Sequence, residues 1–275
     1  MNTPTKNITI FWYSQTGHSY TCARTAEVLL QQSGYNVRFC SIFNPPPDSF
    51  ERNLFLFVFP VFNFAIPLAM KKFFSGMPEK KKPADALLIL TCAGMPANTA
   101  KLTERQLKQK NINLTAKFVI RARDSYIPFA KWFGVISSKN KPNEKSYRQV
   151  ENFIEKHLVR GLQRKAIWFN PLNLFHWIGV AAPDNGPKML LGKRIFKEEL
   201  CTKCGFCVAL CPTGAITFED KAIQYSDKTC IGCCGCMNIC PENAWQSSRF
   251  EPAYYNKGLQ VKEMAHASGK WRKTE

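Results

Sequence analysis

The sequence predicts an α/β protein: a doubly wound five-stranded parallel sheet, followed by a small α+β domain rich in cysteine. Three observations carry that expectation. Apolar runs of strand character alternate with stretches of helical period over residues 8–165. Most of the connections between them are short. Near the C-terminus one cysteine run is written twice, Cys201-x-x-Cys204-x-x-Cys207-x-x-x-Cys211-Pro212 and Cys230-x-x-Cys233-x-x-Cys236-x-x-x-Cys240-Pro241, at a constant shift of 29 residues. Alternating strand and helix patterns read as a parallel sheet covered on both faces.

Ile8–Tyr13 is a short β run that ends in Ser14-Gln15-Thr16-Gly17-His18-Ser19. The period then becomes helical, with Cys22, Ala23, Ala26, Leu29 and Leu30 on one side and Gly34 as a stop. A strand, a hydroxyl-rich turn and a helix N-terminus form an anion site, because free backbone N–H groups and the helix dipole favour phosphate there. A plain N-cap is the alternative. Tyr35–Phe43 reads as the second strand. The crossover Asn44-Pro45-Pro46-Pro47 is too short for a full helix, and Asp48-x-x-Glu51 has the spacing to cap one turn. Leu54–Phe59 and Ala86–Thr91 are continuous apolar runs, as strands buried on both faces require. The first stops at the aromatic loop Pro60-Val61-Phe62-Asn63-Phe64 before a helix near Leu68–Ser75. The second leads through Cys92-Ala93-Gly94-Met95-Pro96 to a helix ending near Lys110. Thr115–Ala122 is the fifth strand, with Asp124, Ser125 and Tyr126 in the following loop and a last helix over about Asn143–Arg164.

In such a sheet ligands bind outside the carboxyl ends of the strands. The Ser14–Ser19 turn, the Phe62/Phe64 loop, the Cys92–Met95 loop and Tyr126 all lie at such ends. A phosphate site with aromatic and glycine loops suits a flat phosphorylated ring, flavin mononucleotide (FMN). Phe62 and Phe64 serve equally well as ordinary core packing.

Eight thiolates at the repeated spacing, each run closed by proline, suit two [4Fe–4S] clusters. The fourth cysteine of each run is expected on the other run's cluster, giving Cys201, Cys204, Cys207 and Cys240 on one and Cys230, Cys233, Cys236 and Cys211 on the other. A disulfide framework would suit a secreted chain, and zinc takes paired C-x-x-C units farther apart. Cys234 aligns with Gly205 under the shift and is read as a non-ligand, with spare ligation as the alternative. Cys22, Cys40 and Cys92 sit on apolar segments, as small hydrophobes. Ala215–Phe218 and Ile223–Tyr225 are expected to pair as a hairpin, and each cysteine run to lead into a short helix.

Residues 8–165 resemble flavodoxin, whose phosphate loop Ser14-Gln15-Thr16-Gly17-His18-Ser19 fits. Followed by a ferredoxin-type domain, residues 8–250 resemble the bacterial and archaeal flavodoxin–ferredoxin fusion proteins of the EFR1-family ferredoxin type. Phe59-Pro60-Val61-Phe62 before Ile66-Pro67 is similar to that group as well. The expected organisation is a flavin domain over 1–165, an apolar linker over 166–192, a two-cluster domain over 193–250 and a mobile tail over 251–275. The implied function is electron transfer between FMN and two clusters, serving an external redox partner. A flavin-dependent reductase of a small organic substrate, with His18, Tyr126 and Cys92 as its only nearby groups, and a cluster-binding module without flavin are the alternatives. No catalytic residues are expected, and whether the chain is an enzyme stays open.

The 275 residues carry a formal charge of +18. Residues 1–192 hold 26 Lys and Arg against 11 Asp and Glu, and residues 193–250 hold 7 against 6. A basic half without a nucleic-acid motif points to an acidic redox partner or a solvated surface. Ala166–Pro183 contains no charged residue but is broken by proline and asparagine, so it reads as a domain-packing linker or a membrane-surface contact, not a span. No G-x-G-x-x-G follows a strand, so no pyridine-nucleotide site is expected. Cluster thiols imply a reducing compartment, hence cytoplasm.

Overall fold

Strands that are apolar at every position must be covered on both faces, and the helices between them supply that cover. The computed structural model describes residues 6–128, 142–160, 186–220, 222–250 and 261–270. In the first unit β1 (Asn7–Trp12), α1 (His18–Gln32), β2 (Asn36–Ser41), β3 (Leu54–Pro60), α2 (Leu68–Gly76), β4 (Ala84–Cys92), α3 (Thr99–Lys108) and β5 (Ile112–Arg121) follow in order. Helix α4 (Glu144–Ile154) continues into a wider π turn, Glu155–Val159. The strands lie in the order β2-β1-β3-β4-β5, and all neighbours are parallel. That is the flavodoxin-like doubly wound order, with its switch between β1 and β3.

Alternation along each strand assigns the two faces. Phe11, Phe55, Phe57 and Phe59 pack with Met70 and Phe74 of α2 and Leu107 of α3. Phe11 touches Phe50, Phe55, Phe57 and Phe73 with ring centroids 5.0–6.0 Å apart. Trp12 meets Tyr20 of α1 edge-on at 4.9 Å, and Phe118 of β5 stacks on Phe153 of α4 at 5.6 Å. The Tyr35 hydroxyl donates to the Leu158 carbonyl at 2.7 Å, tying the end of α1 to the π turn. Helix α4 starts with a reciprocal capping box between Asn143 and Ser146.

The crossover after β2 holds a single 3₁₀ turn, Pro47–Phe50, as its length requires. The expected Asp48/Glu51 cap does not form: no side chain caps the turn, and Asp48 pairs with Arg38 instead. Proline at the first turn position removes one orphan N–H, so less remains to cap.

The second unit is built around cysteine runs on short elements. Helix α5 (Gly186–Leu191) leads to β6 (Arg194–Phe196), which pairs antiparallel with β9 (Trp245–Ser247). Between them stand α6 (Phe206–Ala209), the hairpin β7 (Ile216–Glu219) and β8 (Ala222–Tyr225), and α7 (Gly235–Ile239). The hairpin registers Ile216 with Tyr225, as expected. Each short helix lies within its cysteine run, before the fourth cysteine, and not after it; three residues between the third and fourth cysteines are one helical turn. Ile127, Leu191, Ile216, Cys234, Met237 and Trp245 form the unit's core.

Two boundaries differ from expectation. Ser14–Gly17 and residues 124–128, from the N-terminal half of the sequence, pack as part of the second unit, and so does Leu191 from the expected linker. The expected mobile tail contains helix α8 (Val261–Ala267), with Val261, Met264 and Ala265 buried. Buried residues at positions i, i+3 and i+4 cover one face, and a face removed from water holds the segment in place. The linker residues 166–185 lie outside the described residues, as do 251–260 and 271–275.

Candidate metal centre

The two runs take the same backbone path. Lys203 and Gly205 have φ of 55° and 74°, and their partners under the 29-residue shift, Gly232 and Cys234, have 70° and 60°. Left-handed residues on both sides of the second cysteine curl each run around a centre and turn amides toward sulfur. The Lys203 N–H donates to Cys201 Sγ and the Gly232 N–H to Cys230 Sγ, each at 3.4 Å. The Ala244 N–H donates to Cys240 Sγ at 3.3 Å.

The fourth cysteine of the second run crosses over. Cys201, Cys204, Cys207 and Cys240 line one hollow, walled by Phe206, Ile223, Ala244 and Trp245. Burial pushes the Cys207 thiol up to about 12, with Cys204, Cys240 and Cys201 adding to the rise and the Trp245 indole opposing it by hydrogen bonding. Burial likewise lifts Cys233 to about 12, helped by Cys211 and Cys230, and raises Cys236, which senses Cys233, Cys207, Cys230 and Cys211. All twelve cysteines are free of disulfides. Among the described residues no group of three or more His, Cys, Asp or Glu is arranged for a single metal ion. The donor set fits an iron–sulfur cube: soft thiolates spread around a hollow, with amides aimed at sulfur. A bare thiolate is costly at these buried positions, and bound iron makes it stable by displacing the proton.

Cys234 points away from this chemistry. Its thiol is buried in the second unit's core and donates to the Gly232 carbonyl at 3.7 Å, and burial raises its pKa. Two aromatic side chains that face sulfur were not legible in the sequence. The Trp245 indole bonds Cys207, and Tyr225 faces Cys230 while its hydroxyl donates to Asp227 at 2.9 Å. Both come from strands outside the cysteine runs.

The residues expected around a flavin are divided. His18, Ser19, Pro60, Val61, Phe62, Asn63, Phe64, Cys92, Ala93, Gly94 and Met95 stand in the first unit, at the carboxyl ends of β1, β3 and β4. Ser14, Gln15, Thr16, Gly17 and Tyr126 belong to the second. Ser14 Oγ accepts from the Gly17 N–H at 3.1 Å, which leaves the Ser14 hydroxyl proton for a ligand. Ser19 Oγ is 2.8 Å from Thr91 Oγ1. Burial, then Arg123, lowers His18 to a pKa of about 4, so His18 is neutral at pH 7 and brings no charge to a phosphate. Arg123 is the cation near His18, and nothing in the local sequence pattern marks it.

Asn63 and Phe64 are both left-handed, with φ of 47° and 59°, and Phe62 and Ala65 exchange both backbone hydrogen bonds around them. Such a turn is strained at a phenylalanine. Phe62 meets Tyr13 edge-on at 6.0 Å and packs on the core. A side chain added at Gly94 would meet no atom within 4 Å, and Met95 beside it is 41% exposed, so this loop has an open face. The Cys92 thiol donates to the Gly94 carbonyl at 3.4 Å, and burial pushes its pKa to about 11. Tyr126 packs on the second unit's core and donates its hydroxyl to the Pro187 carbonyl at 2.7 Å.

Residues 193–241 match the family model described as a 4Fe-4S dicluster domain. Pyruvate synthase subunit PorD of Methanocaldococcus jannaschii is 42% identical over 60 residues, 21% of this chain and 67% of that protein. Hydrogenase-4 component A of Escherichia coli (strain K12) is 36% identical over 70 residues, 24% of this chain and 34% of that protein. Polyferredoxin protein MvhB of Methanothermus fervidus is 32% identical over 76 residues, 28% of this chain and 18% of that protein. The chain therefore spans well under two thirds of the last two. Over the sheet, a flavodoxin from the domain Archaea superposes with a TM-score of 0.42 at 11% identity, covering 55% of this chain and 94% of that one. Megasphaera elsdenii flavodoxin superposes with a TM-score of 0.40 at 12% identity, covering 55% and 99%. Strand order, not these likenesses, defines the fold. No helix among the described residues is long and apolar enough to cross a membrane. The second unit is an iron–sulfur electron-transfer domain, and through residues 193–241 the chain belongs to the 4Fe-4S dicluster domain family.

Proposed function

We propose that the chain is an iron–sulfur flavoprotein electron carrier of the flavodoxin–ferredoxin fusion type, within the EFR1-family ferredoxins. Cys201, Cys204, Cys207 and Cys240 would hold one [4Fe–4S] cluster, and Cys230, Cys233, Cys236 and Cys211 a second. The observation that carries this reading is the hollow lined by Cys240 together with the three leading cysteines of the other run. The Ser14–Ser19 turn and α1 N-terminus would hold the phosphate of FMN, with the Phe62–Phe64 and Cys92–Met95 loops at its ring. A four-iron cluster exchanges one electron at a time and FMN one or two, which suits a converter between one- and two-electron partners. The chain's own contribution is to bury the thiols, aim N–H groups at sulfur and wall the hollow with Phe206 and Trp245.

The names of the relatives, a hydrogenase component and a pyruvate synthase subunit, support a redox enzyme as the partner, and the basic first 192 residues favour an acidic one. The reductase alternative is weaker. His18 is neutral, the Cys92 thiol is held protonated, and the Tyr126 hydroxyl is engaged with Pro187, so no acid–base pair is assembled. A cluster-binding module without flavin is favoured by the internal hydrogen bond of Ser19, whose hydroxyl is engaged with that of Thr91.

The test is iron, sulfide and flavin content of anaerobically purified protein. About eight irons per chain with released FMN supports the carrier. About eight irons without FMN, even after incubation with it, selects the flavin-free module. Protein that takes up no iron under anaerobic reconstitution would end both readings.

A further inference from the structure

Gln15 sits in the turn whose spacing suggests a phosphate loop, yet its side chain is turned elsewhere. It is 3% exposed, and Nε2 lies 2.9 Å from Cys233 Sγ, across 218 residues of sequence. A ligating sulfur only accepts hydrogen bonds, so the amide N–H₂ must be the end that faces it. Room for the amide comes from Gly235. A Cβ built there would stand 3.2 Å from Gln15 Nε2 and 3.4 Å from Gln15 Cδ. Under the 29-residue shift, Gly235 corresponds to Phe206 and Cys233 to Cys204. The first run therefore presents an aromatic side chain where the second admits a buried amide donor. Two thiol sets with nearly the same backbone path are thereby made chemically unequal.

We infer that Gln15 is a positioning and tuning residue: its N–H···Sγ bond to Cys233 raises the reduction potential of the cluster held by Cys230, Cys233, Cys236 and Cys211. Reduction adds one electron to the cluster and forms or breaks no bond, and the added negative charge is shared with the sulfurs. A hydrogen-bond donor on sulfur stabilises that charge more after reduction than before. This rests on the proposal that each thiol set holds a cluster.

The test is a potentiometric titration with dithionite, followed by electron paramagnetic resonance, on full-length Gln15→Leu and Gly235→Ala proteins. Leucine keeps the bulk and removes the donor, and alanine presses on the amide from the other side. In both, one of the two one-electron steps is expected to move to lower potential while the other stays. A full loss of the bond's benefit is up to about tenfold in the reduced-to-oxidised ratio at fixed potential, about 59 mV for one electron. Both steps unmoved at full iron content would overturn the inference. Protein that never assembles clusters would instead sink the cluster reading. Where the variants lose iron but the native protein holds it, native protein carrying ¹⁵N in its glutamine amides decides. A ¹⁵N coupling to the reduced cluster is expected there, and its absence overturns the contact.

Discussion

His18 opens the first helix, and burial gives it a pKa of about 4, against 6.5 in an unfolded chain. A base with a depressed folded pKa binds fewer protons than the unfolded chain between those values, so stability falls as pH drops from 6.5 through 4. At pH 4.5 this amounts to about 2–3 kcal/mol relative to pH 7. His18→Gln is expected to abolish that part of the acid sensitivity, as read by urea unfolding at the two pH values. An equal pH dependence in both proteins would show that the imidazole is not held neutral. Cysteines separate in the same way by surroundings. Cys240→Ala is expected to lose about four irons, those held with Cys201, Cys204 and Cys207. Cys234→Ala, in the core with φ of 60°, is expected to keep all its iron and cost about 1 kcal/mol. Iron assays on the two variants check both statements. The shift of 29 residues sets Cys234 beside Gly205, which is what argues against it as a ligand; the contact of Gln15 with Cys233 leaves no mark in either local sequence, because the two are 218 residues apart.

At the scale of elements, the C-terminal helix α8 is the clearest case of structure outrunning expectation. Val261, Met264 and Ala265 stand at helical spacing within the segment expected to be a mobile tail. Met264 is fully buried, so Met264→Ala should destabilise the second unit by about 2–5 kcal/mol. The measurement is the guanidinium midpoint of the iron–thiolate absorbance; an unchanged midpoint would mean the helix is not part of the folding unit. The turn Asn63-Phe64 makes the opposite kind of prediction. Glycine relieves a left-handed φ, so Phe64→Gly in flavin-free protein should stay within about 1 kcal/mol of native. If the ring stacks on flavin, FMN binding should weaken at the same time. Calorimetric titration with FMN separates a strained binding residue from ordinary packing.

For the whole molecule, the formal +18 is carried almost entirely by residues 1–192. Electron exchange with an acidic protein partner should slow as salt rises from about 0.01 M to 0.15 M, where the screening length shrinks from about 30 Å to 8 Å. Stopped-flow rates that are flat over this range would remove the acidic-partner reading. The sheet was legible because five apolar runs with helical stretches between them have few other ways to bury both faces. The iron–sulfur domain was legible because the spacing of its cysteines is itself the chemistry. Local pattern does not encode which distant segments share a core. The sequence alone could not assign Ser14–Gly17 and Tyr126 to the cysteine unit, aim Gln15 at Cys233, set Trp245 and Tyr225 facing sulfur, or leave His18 uncharged. Periodicity and ligand spacing are properties of neighbours along the chain, so the amino-acid order determined them. Burial, sulfur hydrogen bonds and shifted pKa values arise between residues as many as 218 positions apart, and only the tertiary structure decided them.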